Sequence, residues 1–230
     1  MGPAPLSGIG ACVFDAYGTL FDVNAAAARC RDALGDKAEP LAVLWRRKQI
    51  QYSWLRSLMA RHADFWQVTG EALDFAMETF GLSDARLRTW LMECYRHLDA
   101  YPDATDLLKR LKAAGMPAAI LSNGSPGMLA DAIDAAGLGA LLDAALSIEI
   151  TGIYKPHASV YQLAVDRLGV PPEGICFLSS NGWDAHGAAV FGFRVVWVNR
   201  ARQAAERLPG VLAGEVGTLS ELPALLGLRT

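Results

Sequence analysis

Four short stretches of this sequence bring together residue types that could do chemistry, and each follows an apolar run. Ile9 to Phe14 leads into Asp15 and Thr19, and Pro117 to Leu121 into Ser122 and Asn123. Ala144 to Ile148 leads towards Lys155, and Gly174 to Leu178 into Ser179, Asn181 and Asp184. A single aspartate after an apolar run reads equally well as the cap of the next helix. Four such ends, each carrying Asp, Ser, Asn or Lys, exceed what capping accounts for. Gathered at one place they would supply a carboxylate for covalent attack, a second for handling a proton, and a cation to offset negative charge. Hydroxyls and turn N–H groups beside them would bind an anion.

Such residues meet only if the runs are neighbouring strands. Short apolar runs bounded by glycine read as buried strands of a parallel sheet, and Arg194 to Val198 reads as one more. Between them lie helical patterns over Asp103 to Ala114, Pro126 to Ala136 and His157 to Leu168, with Gly115, Gly137 and Gly169 where C-terminal caps belong. Strands alternating with helices predict an α/β fold, a Rossmann-like three-layer core around a parallel sheet with right-handed crossovers. Residues 23–98 break the rhythm, with helical segments over Leu41 to Ala60, Phe65 to Phe80 and Ser83 to Leu98. Leu41, Trp45, Tyr52, Leu55 and Met59 fall near one stripe of the first. The chain therefore divides into a core of 1–22 and 99–230 and an inserted all-helical cap of 23–98. The cap is expected over the C-terminal ends of the strands, where open α/β sheets bind ligands. The tail from Arg202 reads as peripheral helix and loop.

Composition narrows the classes of function. The chain has 230 residues, 52% of them hydrophobic and 20% charged, with a net charge of −3. That is ample for a packed core and leaves no basic excess for nucleic acid. No apolar run reaches the roughly 18 residues of a membrane span. Cys12, Cys30, Cys94 and Cys176 are scattered without metal-binding spacing and read as buried free thiols. Met1 to Gly10 lacks the basic and apolar parts of a signal peptide, so a cytoplasmic location is expected. His62, His97, His157 and His186 sit apart from the polar clusters and read as structural.

The four clusters together resemble the motifs of the haloacid dehalogenase superfamily: Asp15-Ala-Tyr-Gly-Thr19-Leu-Phe-Asp, Leu121-Ser-Asn-Gly124, Lys155-Pro and Ser179-Ser-Asn-Gly-Trp-Asp184. Trp45-Arg46-Arg-Lys-Gln-Ile-Gln-Tyr-Ser-Trp-Leu-Arg56 resembles, more narrowly, the cap helix of the L-2-haloacid dehalogenases. The resemblance runs from about Ile9 to about Val198. A phosphatase of this superfamily has a second Asp two positions after the nucleophile, where this chain has Tyr17. It also has an acidic magnesium ligand in the last motif, where this chain has Ser179 and Ser180. Magnesium wants hard oxygen ligands, typically carboxylates. A halide leaving group needs no proton, so the two replacements agree with each other, and neither a metal nor another cofactor is expected.

The resemblance implies a role for each residue. Asp15 attacks C2 of a short L-2-haloacid, halide leaves, and water hydrolyses the resulting ester, giving a D-2-hydroxy acid. The substrate partners are thus a small halogenated carboxylic acid and water. Lys155 orients Asp15 and offsets its repulsion from the substrate carboxylate, which Ser122 and the N–H groups after Asp15, such as that of Ala16, bind. Thr19 steadies Asp15. Arg46, with Asn123 and the ring edge of Trp183, receives the halide, whereas Arg47 lies about 100° further round the helix and faces solvent. Asp184 handles the hydrolytic water with Asn181 and Ser179, and Tyr161 lies near Lys155 and Asp184. Tyr17, Ile50, Phe65 and Trp183 form an apolar lining. Relatives are commonly homodimers, and Trp45, Tyr52 and Trp54 on the cap helix offer apolar surface for that. Three rivals remain: a specialist for fluoroacetate or dihaloacetate, a magnesium-dependent phosphatase, and a non-catalytic binding protein that kept the fold.

Overall fold

The computed structural model describes residues 5–23 and 34–228. Six strands form one sheet, β1 (Ala11–Phe14), β2 (Ala118–Ser122), β3 (Ala144–Ser147), β4 (Ile175–Ser179), β5 (Arg194–Val198) and β6 (Gly214–Val216), in the order β3-β2-β1-β4-β5-β6. Every pairing is parallel. β1, β2 and β4 are buried along their whole length, which is why they read as unbroken apolar runs rather than alternating ones. From the central β1 the chain moves outward one way to β2 and β3, then crosses back to β4, β5 and β6. That reversal opens the crevice at the C-terminal ends of β1, β2 and β4. Phe14 pairs with Ile120 on one side and Leu178 on the other, so Asp15 emerges level with Ser179 and beside Leu121.

Right-handed crossovers place α4 (Pro102–Ala113) and α5 (Pro126–Ala135) on one face, and α6 (Ala158–Leu168) and α7 (Gly182–Phe191) on the other. Between β1 and α4 come α1 (Ala38–Leu58), α2 (Phe65–Thr79) and α3 (Ala85–Arg96). These three share an apolar cluster of their own, including Leu41, Leu44, Leu73, Met77, Leu91 and Met92. They are tied to the sheet domain by Tyr154, which gives its hydroxyl to the Ala63 carbonyl at 2.5 Å and its N–H to Ser57 Oγ at 3.1 Å. Arg96 of α3 bonds Asp131 of α5, and Glu149 accepts from His62 at 2.7 Å and from the Phe65 N–H at 3.0 Å. No helix among the described residues is long and apolar enough to cross a membrane.

Three sequence expectations need correction. The tail is not only helix and loop: Gly214-Glu215-Val216 is an edge strand beside β5, followed by the short α8 (Leu222–Leu225). Three residues carry no periodicity, and only the free edge of β5 makes them a strand. The helix α7 also went unread, because it holds two glycines, Gly182 and Gly187, and has no single apolar face. On α1 the buried face is Ala38, Leu41, Leu44, Gln49 and Ser53, while Leu55 and Met59 at its far end are 42% and 60% exposed. The aromatic residues of α1 are occupied within the chain: Trp45 against Tyr95, Tyr52 against Phe75, Trp54 edge-on to Trp183. Cys12 and Cys176 are buried free thiols, facing each other across β1 and β4, and Cys94 is half-buried. Cys30 lies outside the described residues.

Helix α7 approaches α6 so closely that a Cβ on Gly187 would lie 2.5 Å from Pro156 Cβ and 2.7 Å from the Tyr161 hydroxyl. Overpacking of this kind costs about 1–3 kcal/mol. Gly187→Ala is therefore expected to lower the thermal midpoint by about 5 °C, on the scale of about 2–4 °C per kcal/mol for a chain of this size. Calorimetry checks this, and an unchanged midpoint would contradict the packing described.

Candidate active site

Asp15 stands at the end of β1 and is almost fully buried. Lys155 Nζ donates to its Oδ1 at 3.1 Å, and Asn181 Nδ2 to its Oδ2 at 2.9 Å. Thr19 Oγ1 lies 3.4 Å from the same Oδ2 and 3.2 Å from Ser180 Oγ, so its one proton serves one of them at a time. The firm lateral hold on Asp15 is thus Asn181. A carboxylate offers about four acceptor sites, so these donors still leave it a free lone pair.

The turn after β1 returns sharply: the Ala16 carbonyl accepts from Thr19, Leu20 and Phe21. Gly18 sits there at φ 86°, and a Cβ on it would lie 2.9 Å from Ser180 Oγ, so both backbone angle and space demand glycine. Ser180 N–H donates to Thr19 Oγ1 at 2.8 Å, which stitches this turn to the end of β4. Arg200, just past β5, pairs with both oxygens of Asp103 at 2.8 and 3.0 Å and donates to the Thr19 carbonyl at 3.0 Å. Sequence reading did not single out Arg200, Asp103 or Ser180 as holders of this turn. No motif joins them, because they meet only through the sheet order.

Lys155, 1% exposed, also donates to Asp184 Oδ2 at 2.9 Å. Tyr161 gives its hydroxyl to Asp184 Oδ1 at 2.8 Å. Burial is the largest influence on Lys155 and works against its charge. The two carboxylates outweigh it and hold the lysine above its ordinary pKa. Burial is likewise the largest influence on Asp184, and with the nearby Asp15 charge it raises that carboxyl despite the bonds from Lys155 and Tyr161. Tyr161 is pushed up as well, by burial and then by Asp184.

Asn181 occupies the N-cap of α7, yet its side chain makes no capping bond. Its amide is turned to Asp15 on one side, and its Oδ1 accepts from Arg46 NH2 of α1 at 3.2 Å on the other. A forgone cap costs about 1 kcal/mol. Arg46 points inward as expected, and Arg47 is exposed. Arg46 NH1 donates to Gln49 Oε1 at 2.7 Å. Arg46, Ile50, Trp54, Asn181 and Trp183 line a cleft between α1 and the start of α7.

The remaining expected residues are placed as follows. Ser122 Oγ accepts from the Gly124 N–H at 3.1 Å, which leaves its own proton to give. Asn123 Oδ1 accepts from the Lys155 N–H at 3.1 Å and fixes the lysine's backbone, leaving its NH2 as the group it can offer. Ser179 Oγ accepts from the Asn181 N–H at 3.1 Å and so shapes the turn before α7. Tyr17 is buried, with its ring stacked on Tyr95 at 5.4 Å. Phe65 packs on Tyr154 at 5.7 Å, and neither it nor Tyr17 is among the residues lining the cleft. Each histidine has a partner elsewhere: His62 at Glu149, His97 at the Glu93 carbonyl, His157 at Ser159, His186 at the Pro209 carbonyl. Among the described residues no three His, Cys, Asp or Glu side chains are grouped to hold a metal.

Comparison with known proteins agrees over nearly the whole chain. The family description "haloacid dehalogenase-like hydrolase" matches residues 9–192. The (S)-2-haloacid dehalogenase 4A of Burkholderia cepacia is 51% identical over 217 residues, covering 94% of each chain. A crystal structure of a dehalogenase superposes with a TM-score of 0.93 at 50% identity, covering 95% of this chain and 97% of that one. The L-2-haloacid dehalogenase of Xanthobacter autotrophicus with chloropropionic acid covalently bound gives a TM-score of 0.88 at 39% identity, over 95% and 98% of the chains.

Lys155→Met would leave two buried carboxylates without a counter-charge, and breaking such a pair costs about 3–5 kcal/mol. Burial already raises the Asp184 carboxyl, and loss of Lys155 removes the charge and bond that oppose this, so the variant's deficit is full at neutral pH. It shrinks as pH falls through that raised value towards about 4, where the unfolded chain also takes up protons. Urea titrations of both proteins at pH 7 and pH 4.5 check this, and a deficit equal at both would contradict it.

Proposed function

The chain belongs to the haloacid dehalogenase-like hydrolases, and from that premise we propose that it hydrolyses short L-2-haloacids to D-2-hydroxy acids through an ester on Asp15. The observation that carries this reading is the state of the Asp15 carboxylate: buried, held by donors on both oxygens, and sharing Lys155 with Asp184. In this reading 23–98 is a cap that closes over a core of 1–22 and 99–230.

In the first step an Asp15 oxygen forms a bond to C2 as the carbon–halogen bond breaks, and the halide leaves with the electron pair. Covalent attack divides one hard displacement into two easier steps. The Lys155 ammonium offsets the meeting of two anions, and the Ser122 hydroxyl with turn N–H groups, that of Ala16 among them, receives the substrate carboxylate. Arg46 meets the departing halide with always-charged donors, beside the NH2 of Asn123 and the electropositive edge of Trp183. Ile50, Tyr17 and Phe65 supply apolar walls.

In the second step water adds to the Asp15 carboxyl carbon, its proton goes to Asp184, and the ester bond breaks. The alkoxide released takes up a proton and leaves as the hydroxy acid. The balance is haloacid plus water to hydroxy acid, halide and one proton. Asp184 suits the proton's path because its raised pKa makes it a stronger base than an ordinary aspartate, and Tyr161 fixes its orientation. Ser179 and Asn181 shape the turn that faces the water, and Thr19 anchors the turn that carries Asp15. A homodimer, which the family resemblance implies, would have exposed Val43, Leu55 and Leu58 on α1 and Met59 just past it as apolar surface.

With racemic 2-chloropropionate and EDTA, chloride release is expected to stop at half the substrate, and Asp15→Asn is expected to release none. Release that requires magnesium, with cleavage of p-nitrophenyl phosphate, would favour the phosphatase reading instead. The pH profile of kcat gives a second check. Asp184 must be ionised and its pKa is raised, so activity falls on the acid side at a pH above the ordinary aspartate value of about 4. Lys155 must stay protonated and its pKa is also raised, so the alkaline fall comes only above about pH 10. An acid limb below pH 4, or an alkaline limb near pH 8, would contradict these roles.

A further inference from the structure

The cap carries a chain of buried polar groups that none of the roles above requires. Gln49 of α1 is 1% exposed and Thr69 of α2 is fully buried. Thr69 Oγ1 donates to the Phe65 carbonyl at 2.6 Å and accepts from Gln49 Nε2 at 2.7 Å. Gln49 Oε1 accepts from Arg46 NH1 at 2.7 Å and from the Tyr95 hydroxyl at 3.2 Å. Proton directions make this arrangement one-way. The Phe65 carbonyl can only accept, so the single Thr69 proton is committed to it. The Thr69 oxygen must then receive a proton, which turns the Gln49 NH2 towards it. That leaves the Gln49 carbonyl facing the guanidinium, which can only donate. A flipped amide would set NH2 against guanidinium and leave a buried donor unpaired, at a cost of about 1–3 kcal/mol.

We propose that Gln49, oriented by Thr69, is a positioning residue that fixes the Arg46 guanidinium for the departing halide. The proposal rests on the dehalogenase reading above. Arginine has a long stem with much rotamer freedom, and a free guanidinium would have to be ordered during each displacement. With NH1 held by Gln49 and Tyr95, NH2 is left to bridge to Asn181 Oδ1 at 3.2 Å, and Asn181 holds the nucleophile. The same amide that packs two cap helices thereby sets the distance between halide site and attacking oxygen. Displacing a catalytic group by about 1 Å can cost about 100-fold in rate.

A merely structural amide would affect every substrate alike, whereas a halide-positioning one must matter most for the poorest leaving group. The test compares kcat/KM, which reports the steps through halide loss, for 2-chloropropionate and 2-iodopropionate. These share one skeleton and differ only in the bond that breaks. For Gln49→Met, which keeps length and volume but removes both amide groups, kcat/KM on the chloro acid is expected to fall up to about 100-fold. On the iodo acid it is expected to fall only a few-fold. Thr69→Val is expected to show the same pattern, about tenfold on the chloro acid, because the amide then loses what orients it. Thr79→Val, which removes an exposed hydroxyl bonded in the same way to the Phe75 carbonyl at 2.8 Å of the same helix, is the control and is expected to leave both rates unchanged. Equal losses on both acids, or no loss, overturn the proposal. If Gln49→Met does not fold, Thr69→Val decides alone. An inactive wild type would instead overturn the dehalogenase reading itself, so the two failures are distinguishable.

Discussion

Two buried carboxylates share one buried lysine, and much of this molecule is arranged around that fact. An isolated charge in an apolar interior is prohibitively expensive, and even a paired one must be well bonded to persist. Lys155 satisfies the condition by touching Asp15 and Asp184 at once, and Tyr161 and Asn181 complete the two carboxylates. The three charges come from three places 140 and 29 residues apart in sequence, and only the reversal of strand order beside β1 brings them together. Burial works against each charged form, and the pairing restores the lysine's charge more fully than that of Asp184. The result is two carboxylates on either side of a cation, which in the proposed mechanism attack and take a proton respectively.

Local stability is given up near this group where function needs the atoms. Asn181 stands where a helix cap belongs and instead spans from Asp15 to Arg46. The turn bearing Asp15 depends on holders from distant segments, Ser180 after β4 and Arg200 after β5 paired with Asp103 of α4, rather than on its own short backbone bonds alone. These supports explain how a tight glycine-containing turn can keep the Asp15 carboxylate in place at the end of a four-residue strand.

The helical insert is more than a cover. It has its own apolar cluster and its own internal polar chain, yet its Arg46 reaches Asn181, the residue that also holds Asp15. A site split between two packed units can exclude water when they meet, and water exclusion strengthens the electrostatics on which displacement depends. Of the aromatic residues of α1, Trp54 takes part in that packing against Trp183, while Trp45 and Tyr52 pack within the insert on Tyr95 and Phe75.

The sequence by itself determined the parallel sheet, the helical insert and the polar residue types at the strand ends. Fully buried strands must be apolar runs, and helices must show a 3.6-residue period, so both leave one-dimensional traces. A helix turns about 100° per residue, so only one of Arg46 and Arg47 could turn fully inward, and the family resemblance named Arg46. The family motifs then marked Asp15, Lys155 and Asp184. Only the tertiary structure decided the rest. Gly214 to Val216 became a strand because β5 had a free edge, and α7 is a helix buried without a polar face to mark it. Phe65 packs on Tyr154, and the amide of Asn181 lies closer to Asp15 than the hydroxyl of Thr19 does. Thr69, Arg200 and Asp103 belong to no motif, and Gln49 lies in the cap-helix motif without a role that the motif assigns. Their importance lies in the direction of protons and the distance between atoms far apart in the chain, and neither quantity exists until the chain has folded.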